Sequence, residues 1–470
     1  MRGKNTRLPR AVPSHRTSST RPQDLDRVQS SQEVAPLASK SQTRDRGVAK
    51  ALTAEEWGEN DGEYLLRLLH EPYDTQLHQF ADDVTLPHEG LNSADYAVLK
   101  EAMYPVEWCL RFDPSKTPWF YWLKVDQAYL HSVIFTASML HDFMRGRALS
   151  KKTNYHICKT LNLLNQNLAN PDTALTDSTL ATVVTMSMMS EVFGDRASSA
   201  AHVAGLQQIV KLRGGVESLK HNLHLYVKLC RTDVGWSMIT GNKPFFFRKN
   251  LPYEPAFDSI LGPHFEGLKI QYGPCYIQQF VDSLDLRLSY VFQDFRDFSR
   301  LTNIIFRSGG CDPWPFQELT ISIEYRLLYL DFPDDAMAES LRLSMLGCIA
   351  TLFLHVLGMR LQFTYLTNKL RETLQQVELS KSSTPAAKLV FAWSLMMGSL
   401  AVFTEEDDVW LMPRLASVHE YLGRTWPEAK ERLQRVVWIK NIHDSQGVKV
   451  YERLVLHAAQ IPHGDRLIEI

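Results

Sequence analysis

The sequence predicts an all-α fold, a large single helical array behind a disordered N-terminal tail. Three observations carry that expectation. Apolar residues recur at three- and four-residue spacings through most of the chain beyond residue 50, the period of one face of an α-helix. Strand-like alternation is scarce. Gly and Pro concentrate between the periodic segments, at Gly214-Gly215, Gly241 to Pro255, Gly309 to Pro315 and Phe332-Pro333, where they end one helix and turn the chain toward the next.

Residues 1–50 are rich in Ser, Thr, Pro, Gln and Arg, with few aliphatic and no aromatic residues, so they bury too little surface to offset their ordering entropy and are expected to be disordered. Eleven basic residues there, among them Arg2, Lys4, Arg7 and Arg10, face four acidic ones. The tail is locally cationic and is expected to make weak nucleic-acid or nuclear-import contacts at most. Residues 51–460 form the expected helical domain. With 44% hydrophobic and 22% charged residues in 470, the chain supports one large core or two ordinary ones. A formal charge of −2 gives the whole molecule no attraction to polyanions.

In chain order, Thr53-Ala-Glu-Glu56 offers a hydroxyl cap with a carboxylate three residues on, so folded structure is expected to begin there. Pro87 to Leu91 reads as a loop, and Ser93 as the cap of a helix through Ala94–Leu110 that Pro105 bends or splits. The spacing then predicts helices over Tyr121–Arg145, Tyr155–Leu168, Leu175–Val192, Ala197–Leu212, Leu223–Ile239, Ile277–Phe306, Phe316–Leu330, Met337–Leu379, Ala386–Phe403, Val409–Leu422 and Glu428–Ile442. Two uncharged stretches within these, Leu343–Met359 and Leu389–Thr404, fall short of a membrane span and read as buried core helices.

The N-terminus lacks the apolar run of a secretory signal. Cys109, Cys158, Cys230, Cys275, Cys311 and Cys348 stand far apart, with none of the close pairs a structural zinc site needs. They read as reduced and mostly buried, in cytosol or nucleus. No P-loop, G-x-G-x-x-G, G-x-S-x-G or H-E-x-x-H occurs, so no cofactor, metal or catalytic role is assigned. Glu405-Glu-Asp-Asp408 reads as a helix N-terminus. His221 and His224 sit three apart without a third ligand, and a polar helix face is the simpler reading. Arg145, Arg147, Lys151 and Lys152 read as solvated surface, with phosphate or an import receptor as the sharper alternative. Trp119-Phe-Tyr-Trp122 and Phe245-Phe-Phe247 read as core packing, with a ligand pocket as the alternative.

The most informative run is Ala200-Ala-His-Val-Ala-Gly205-Leu-Gln-Gln-Ile-Val210-Lys-Leu-Arg-Gly-Gly215. Leu206, Ile209, Val210 and Leu212 are expected to line one helix face, Gly205 to admit a neighbouring helix, and Arg213 to favour the C-terminal dipole before Gly214-Gly215 end the helix. His202, lacking a second ligand, reads as hydrogen-bonded structure.

At this point the sequence resembles the fungal-specific transcription factor domain, the helical middle region that follows a binuclear zinc cluster in many fungal regulators. His202, Gly205, Leu206, Ile209, Val210, Arg213, Gly214, Gly215 and Leu219 match its H-x-x-G-L-x-x-I-V-x-x-R-G-G-x-x-x-L run, and Arg231, Asp233, Gly241 and Pro244 are similar to the segment after it. Trp393, Gly398, Ala401 and Val437-Trp438 extend the similarity, with Ser394 where the family has proline. The family's six-cysteine cluster is absent here, for no cysteine precedes Cys109. Either the zinc cluster lies upstream of this sequence, or the chain acts through partners. The resemblance implies a nuclear transcriptional regulator binding transcription regulators or other proteins, or a small-molecule effector, with DNA contact at most indirect or nonspecific. The alternative is a small-molecule-binding or catalytic helical protein of the terpenoid- or lipid-handling type. That chemistry needs D-D-x-x-D carboxylates, and Asp334-Asp335 and Asp407-Asp408 lack the later acid.

Overall fold

The computed structural model describes residues 118–144, 146–246, 253–261, 275–308, 312–352 and 361–460. The chain divides into two units, Met1–Arg46 and Gly47–Ile470, and every described residue lies in the second. The tail with Arg2, Lys4, Arg7 and Arg10, the Thr53 cap and the Ala94–Leu110 helix lie outside the described residues.

Among those residues 79% are helical and no strand occurs, so the fold is all-α. Eighteen α-helices follow in order: α1 (Pro118–Val125), α2 (Gln127–Met144), α3 (Lys151–Ala169), α4 (Pro171–Ala174), α5 (Asp177–Val192), α6 (Arg196–Leu212), α7 (Leu223–Thr240), α8 (Phe257–Ile260) and α9 (Tyr276–Asp282). Then come α10 (Leu286–Ser308), α11 (Pro313–Tyr329), α12 (Ala336–Ala350), α13 (Thr364–Gln376), α14 (Pro385–Ala401), α15 (Asp408–Ser417), α16 (His419–Leu422), α17 (Trp426–Val436) and α18 (Lys440–Gln460).

Local chemistry explains most starts. Ser150, Thr176, Asp195, Asn222, Asp312, Asp335, Thr384 and Thr425 each accept, through the side chain, a backbone N–H two or three residues into the helix that follows. Each satisfies a donor that the first turn leaves open. Thr404 and Asp407 form a capping box at the acidic run, as its sequence suggested.

Helix α14 is the hub, packed against α9, α12, α13, α15, α16, α17 and α18. Its residues 389–400 are all buried, as are 338–350 of α12. The two stretches tested for a membrane are therefore core helices through their described parts, and no helix among the described residues is long and apolar enough to cross a bilayer. At Gly398 a Cβ would lie 2.3 Å from the Phe403 ring, so the chain turns back onto α14 only because that side chain is absent.

Several expected helices divide, and the breaks have causes. Tyr121–Arg145 breaks at Asp126, whose carboxylate accepts Tyr129 N–H at 2.9 Å and Ser178 Oγ–H at 2.5 Å. Ile277–Phe306 breaks before Asp285, which accepts the N–H groups of Arg287 and Leu288 at 2.8 and 3.1 Å. Met337–Leu379 contains two described helices, α12 ending at Ala350 and α13 starting at Thr364, with residues 353–360 outside the described residues, and Val409–Leu422 divides at Val418 between α15 and α16. Glu428–Ile442 breaks at Val437–Ile439, and α18 beyond it escaped the periodicity. There Asn303 of α10 donates to Trp438 O at 2.7 Å and accepts Lys440 N–H at 2.8 Å, while Ser299 Oγ accepts Trp438 N–H at 3.1 Å. A neighbouring helix thus takes over the backbone groups that a continuous helix would have used.

Candidate functional site

The His202–Gly215 run occupies α6 and its exit. Ser199, Val203, Leu206, Ile209 and Val210 form the buried face. Leu212, placed on that face by the sequence reading, is 60% exposed, because two residues beyond Val210 the helix has turned about 200°. Gly205 also departs from expectation: a Cβ there would meet nothing within 4 Å, so no helix approaches it closely. His202 is half-buried, and burial holds its imidazole below its usual value against the pull of Asp195.

The exit is a Schellman turn. Gly214 N–H bonds Lys211 O at 3.1 Å and Gly215 N–H bonds Val210 O at 2.9 Å, with φ of 91° and 101° at the two glycines, a region that Cβ-bearing residues avoid. Arg213 then reaches across to the first turn of α5, where its Nη2 lies 2.6 Å from Asp177 Oδ1. Asn222 Nδ2 at 2.8 Å and His221 Nε2 at 3.2 Å complete the shell of that carboxylate. Burial pushes the Asp177 carboxyl up, but Asn222 and Arg213 together outweigh it and hold it below the usual range.

Asp233 on α7 clamps the chain after that helix. It accepts Phe245 N–H at 2.8 Å, Phe246 N–H at 2.9 Å and the Tyr325 hydroxyl of α11 at 2.9 Å. Burial nevertheless pushes it up to about 6, against the two backbone N–H groups and Tyr325. It belongs to a buried polar seam between α7 and α11. Arg231 Nη2 donates to Gln317 Oε1 at 2.7 Å. The Cys230 thiol, in hydrogen-bond contact with Tyr325, is pushed up to about 12 by burial, so it stays protonated and is no nucleophile. Glu324, with 0% exposure, has no hydrogen-bond partner among the described residues for either carboxyl oxygen. Burial pushes it up to about 8, with Arg231 opposing. The seam holds protons near neutrality, and among the described residues no group of His, Cys, Asp or Glu could hold a metal ion.

The other candidates find structural partners. His221 also bonds Ser218 O at 2.7 Å. Asp335 caps α12, and Asp407 pairs with Arg371 at 2.6 Å, so neither acidic pair assembles a D-D-x-x-D-like site. Arg147, Lys151 and Lys152 are exposed, whereas Arg145 lies outside the described residues. Trp122 is buried and Phe246 packs on the core, while Tyr121 and Phe245 are exposed. Of the cysteines expected to be mostly buried, Cys230 and Cys348 are buried, Cys275 is partly so and Cys158 is exposed, while Cys109 and Cys311 lie outside the described residues.

Sequence reasoning missed Glu324, Arg326, Asp294 and His443. Asp294 and Arg326 form a fully buried ion pair at 2.6 Å, with Asp294 also accepting Ala256 and Phe257 N–H groups at 2.9–3.0 Å. The available signal was Glu324-Tyr-Arg326 inside the run Leu319-Thr-Ile-Ser-Ile and Leu327-Leu-Tyr, since charges within an apolar run are buried and paired or neutralised.

These features define an all-α protein in which Asp233 and Glu324, both pushed up by burial, sit in a buried polar seam between α7 and α11. Comparison with protein-family models, with curated proteins and with solved structures finds no match for the chain.

Proposed function

We propose that the chain is a nuclear transcriptional regulator whose helical domain binds transcription regulators or other proteins, or a small-molecule effector, and touches DNA indirectly or nonspecifically. One observation carries the reading: the residues that resemble the fungal-specific transcription factor domain act together. Gly214 and Gly215 close α6, Arg213 ties that exit to Asp177 of α5, and Asp233 clamps the segment after α7. A coherent set of interhelical locks is what a shared scaffold motif would encode, and it supports a regulatory domain over a motif matched by chance. The test is chromatin occupancy of the tagged full chain in its own cells. Enrichment at discrete genomic sites is expected; occupancy at background level, with the protein folded and present, sinks the proposal.

A further inference from the structure

Arg296 of α10 is 3% exposed, yet among the described residues no carboxylate lies within ion-pair distance of it. Two other buried arginines face carboxylates, Arg326 with Asp294 and Arg342 with Glu339, and Arg231 donates to Gln317. Among the described residues, the Arg296 Cζ lies over the Phe292 ring, 5.6 Å from the centroid, and its Nη1 is 3.1 Å from Cys275 Sγ. Its Nε is buried without a hydrogen-bond partner among the described residues. Burying a cation without a counter-charge is unfavourable. The group placed to supply that charge is the Cys275 sulfur, which stands at the entry to α9 and is only partly buried.

We propose that Cys275 is a reactive thiol, seated on Arg296, which hydrogen peroxide oxidises to a sulfenic acid. The deprotonated sulfur attacks one peroxide oxygen, forming the S–O bond as the O–O bond breaks. The departing hydroxide takes up the proton released by the thiol and leaves as water. Sulfur is oxidised, peroxide is reduced, and the guanidinium N–H groups hold the charge on sulfur and then the sulfenyl oxygen. Cys158 of α3 is the internal control. It is the more exposed thiol, so exposure alone favours Cys158, whereas the seated cation favours Cys275.

The test treats the full chain with hydrogen peroxide in the presence of dimedone, which traps sulfenic acids, and reads each cysteine by peptide mass spectrometry. Cys275 is expected to be trapped about tenfold faster than Cys158. R296Q, checked for folding by circular dichroism, should slow Cys275 trapping about tenfold and leave Cys158 unchanged, and R296K should fall between. If R296Q does not fold, R296K decides; if neither folds, the ratio of the two thiols in the wild type decides. Trapping of Cys275 no faster than Cys158, or unaltered in a folded Arg296 variant, overturns the proposal.

Discussion

Replacing Glu324 by Gln tests the buried seam through its pH dependence. In the folded chain this carboxyl is pushed up to about 8 from an ordinary value of 4.5, chiefly by burial. The folded state therefore holds a proton that the unfolded state releases. Stability from this group is fully present below pH 4.5 and is lost as pH rises toward 8. At about 1.36 kcal/mol for each tenfold change, the loss reaches roughly 2 kcal/mol by pH 6 and roughly 4 kcal/mol by pH 8, so roughly 2 kcal/mol falls between those two pH values. Asp233, pushed up to about 6, contributes the same sign, but most of its loss falls below pH 6, where it is already half ionised. The amide of E324Q keeps the shape and cannot ionise. Urea unfolding of both proteins at pH 6, 7 and 8, followed by tryptophan fluorescence, should show the variant gaining about 2 kcal/mol on the wild type over that range. A stability difference that stays constant from pH 6 to 8 refutes the reasoning, for Glu324 would then be as ionised in the fold as outside it.

Four further outcomes follow from other elements. G214V and G215V should each lower stability by about 1–2 kcal/mol, since both positions have positive φ while a Cβ finds open space; unchanged melting temperatures would contradict the Schellman turn. R326M should cost about 3–5 kcal/mol by leaving Asp294 buried and unpaired, and adding D294N should recover part of it in chemical denaturation. His443 accepts Ile439 N–H at Nδ1, so its Nε2 carries the proton toward Thr351 Oγ1 at 2.9 Å, and burial holds it down at about 3. Because it must stay neutral, the fold should lose about 3 kcal/mol between pH 6.5 and 4, and H443Q should flatten that acid limb. Deleting residues 1–50 should leave the helical domain's circular dichroism intact while reducing nonspecific DNA retention and nuclear accumulation, with the full chain's log affinity falling by about 0.9 per log salt for each phosphate neutralised; equal retention and equal import would make the tail a linker only.

The helical fold class and most helix starts were legible because they rest on local rules: a period near 3.6, a hydroxyl or carboxylate before the first turn, and Gly or Pro after the last. Gly214-Gly215 and the helix start at Glu405–Asp408 were readable for the same reason, since each closes within a few residues of chain. Leu212 is apolar yet leaves the buried face, because two residues beyond Val210 the helix has turned about 200°.

What tertiary structure alone decided involves partners far apart in sequence. Periodicity runs through Val437–Ile439, yet Ser299 and Asn303 of α10 capture that backbone and break the helix. Arg213 reads as a dipole-favouring cation, but its partner Asp177 lies 36 residues earlier. The ionisation of Glu324 likewise depends on α7 closing over α11, because the same carboxyl at an exposed helical position would stay charged. The sequence by itself determined the helices and their ends through short-range backbone sterics and hydrogen bonding. Which charges are neutral, paired or left facing a thiol was set only when the packed helices excluded water, for the energy of a charge depends on what surrounds it in space rather than on its neighbours along the chain.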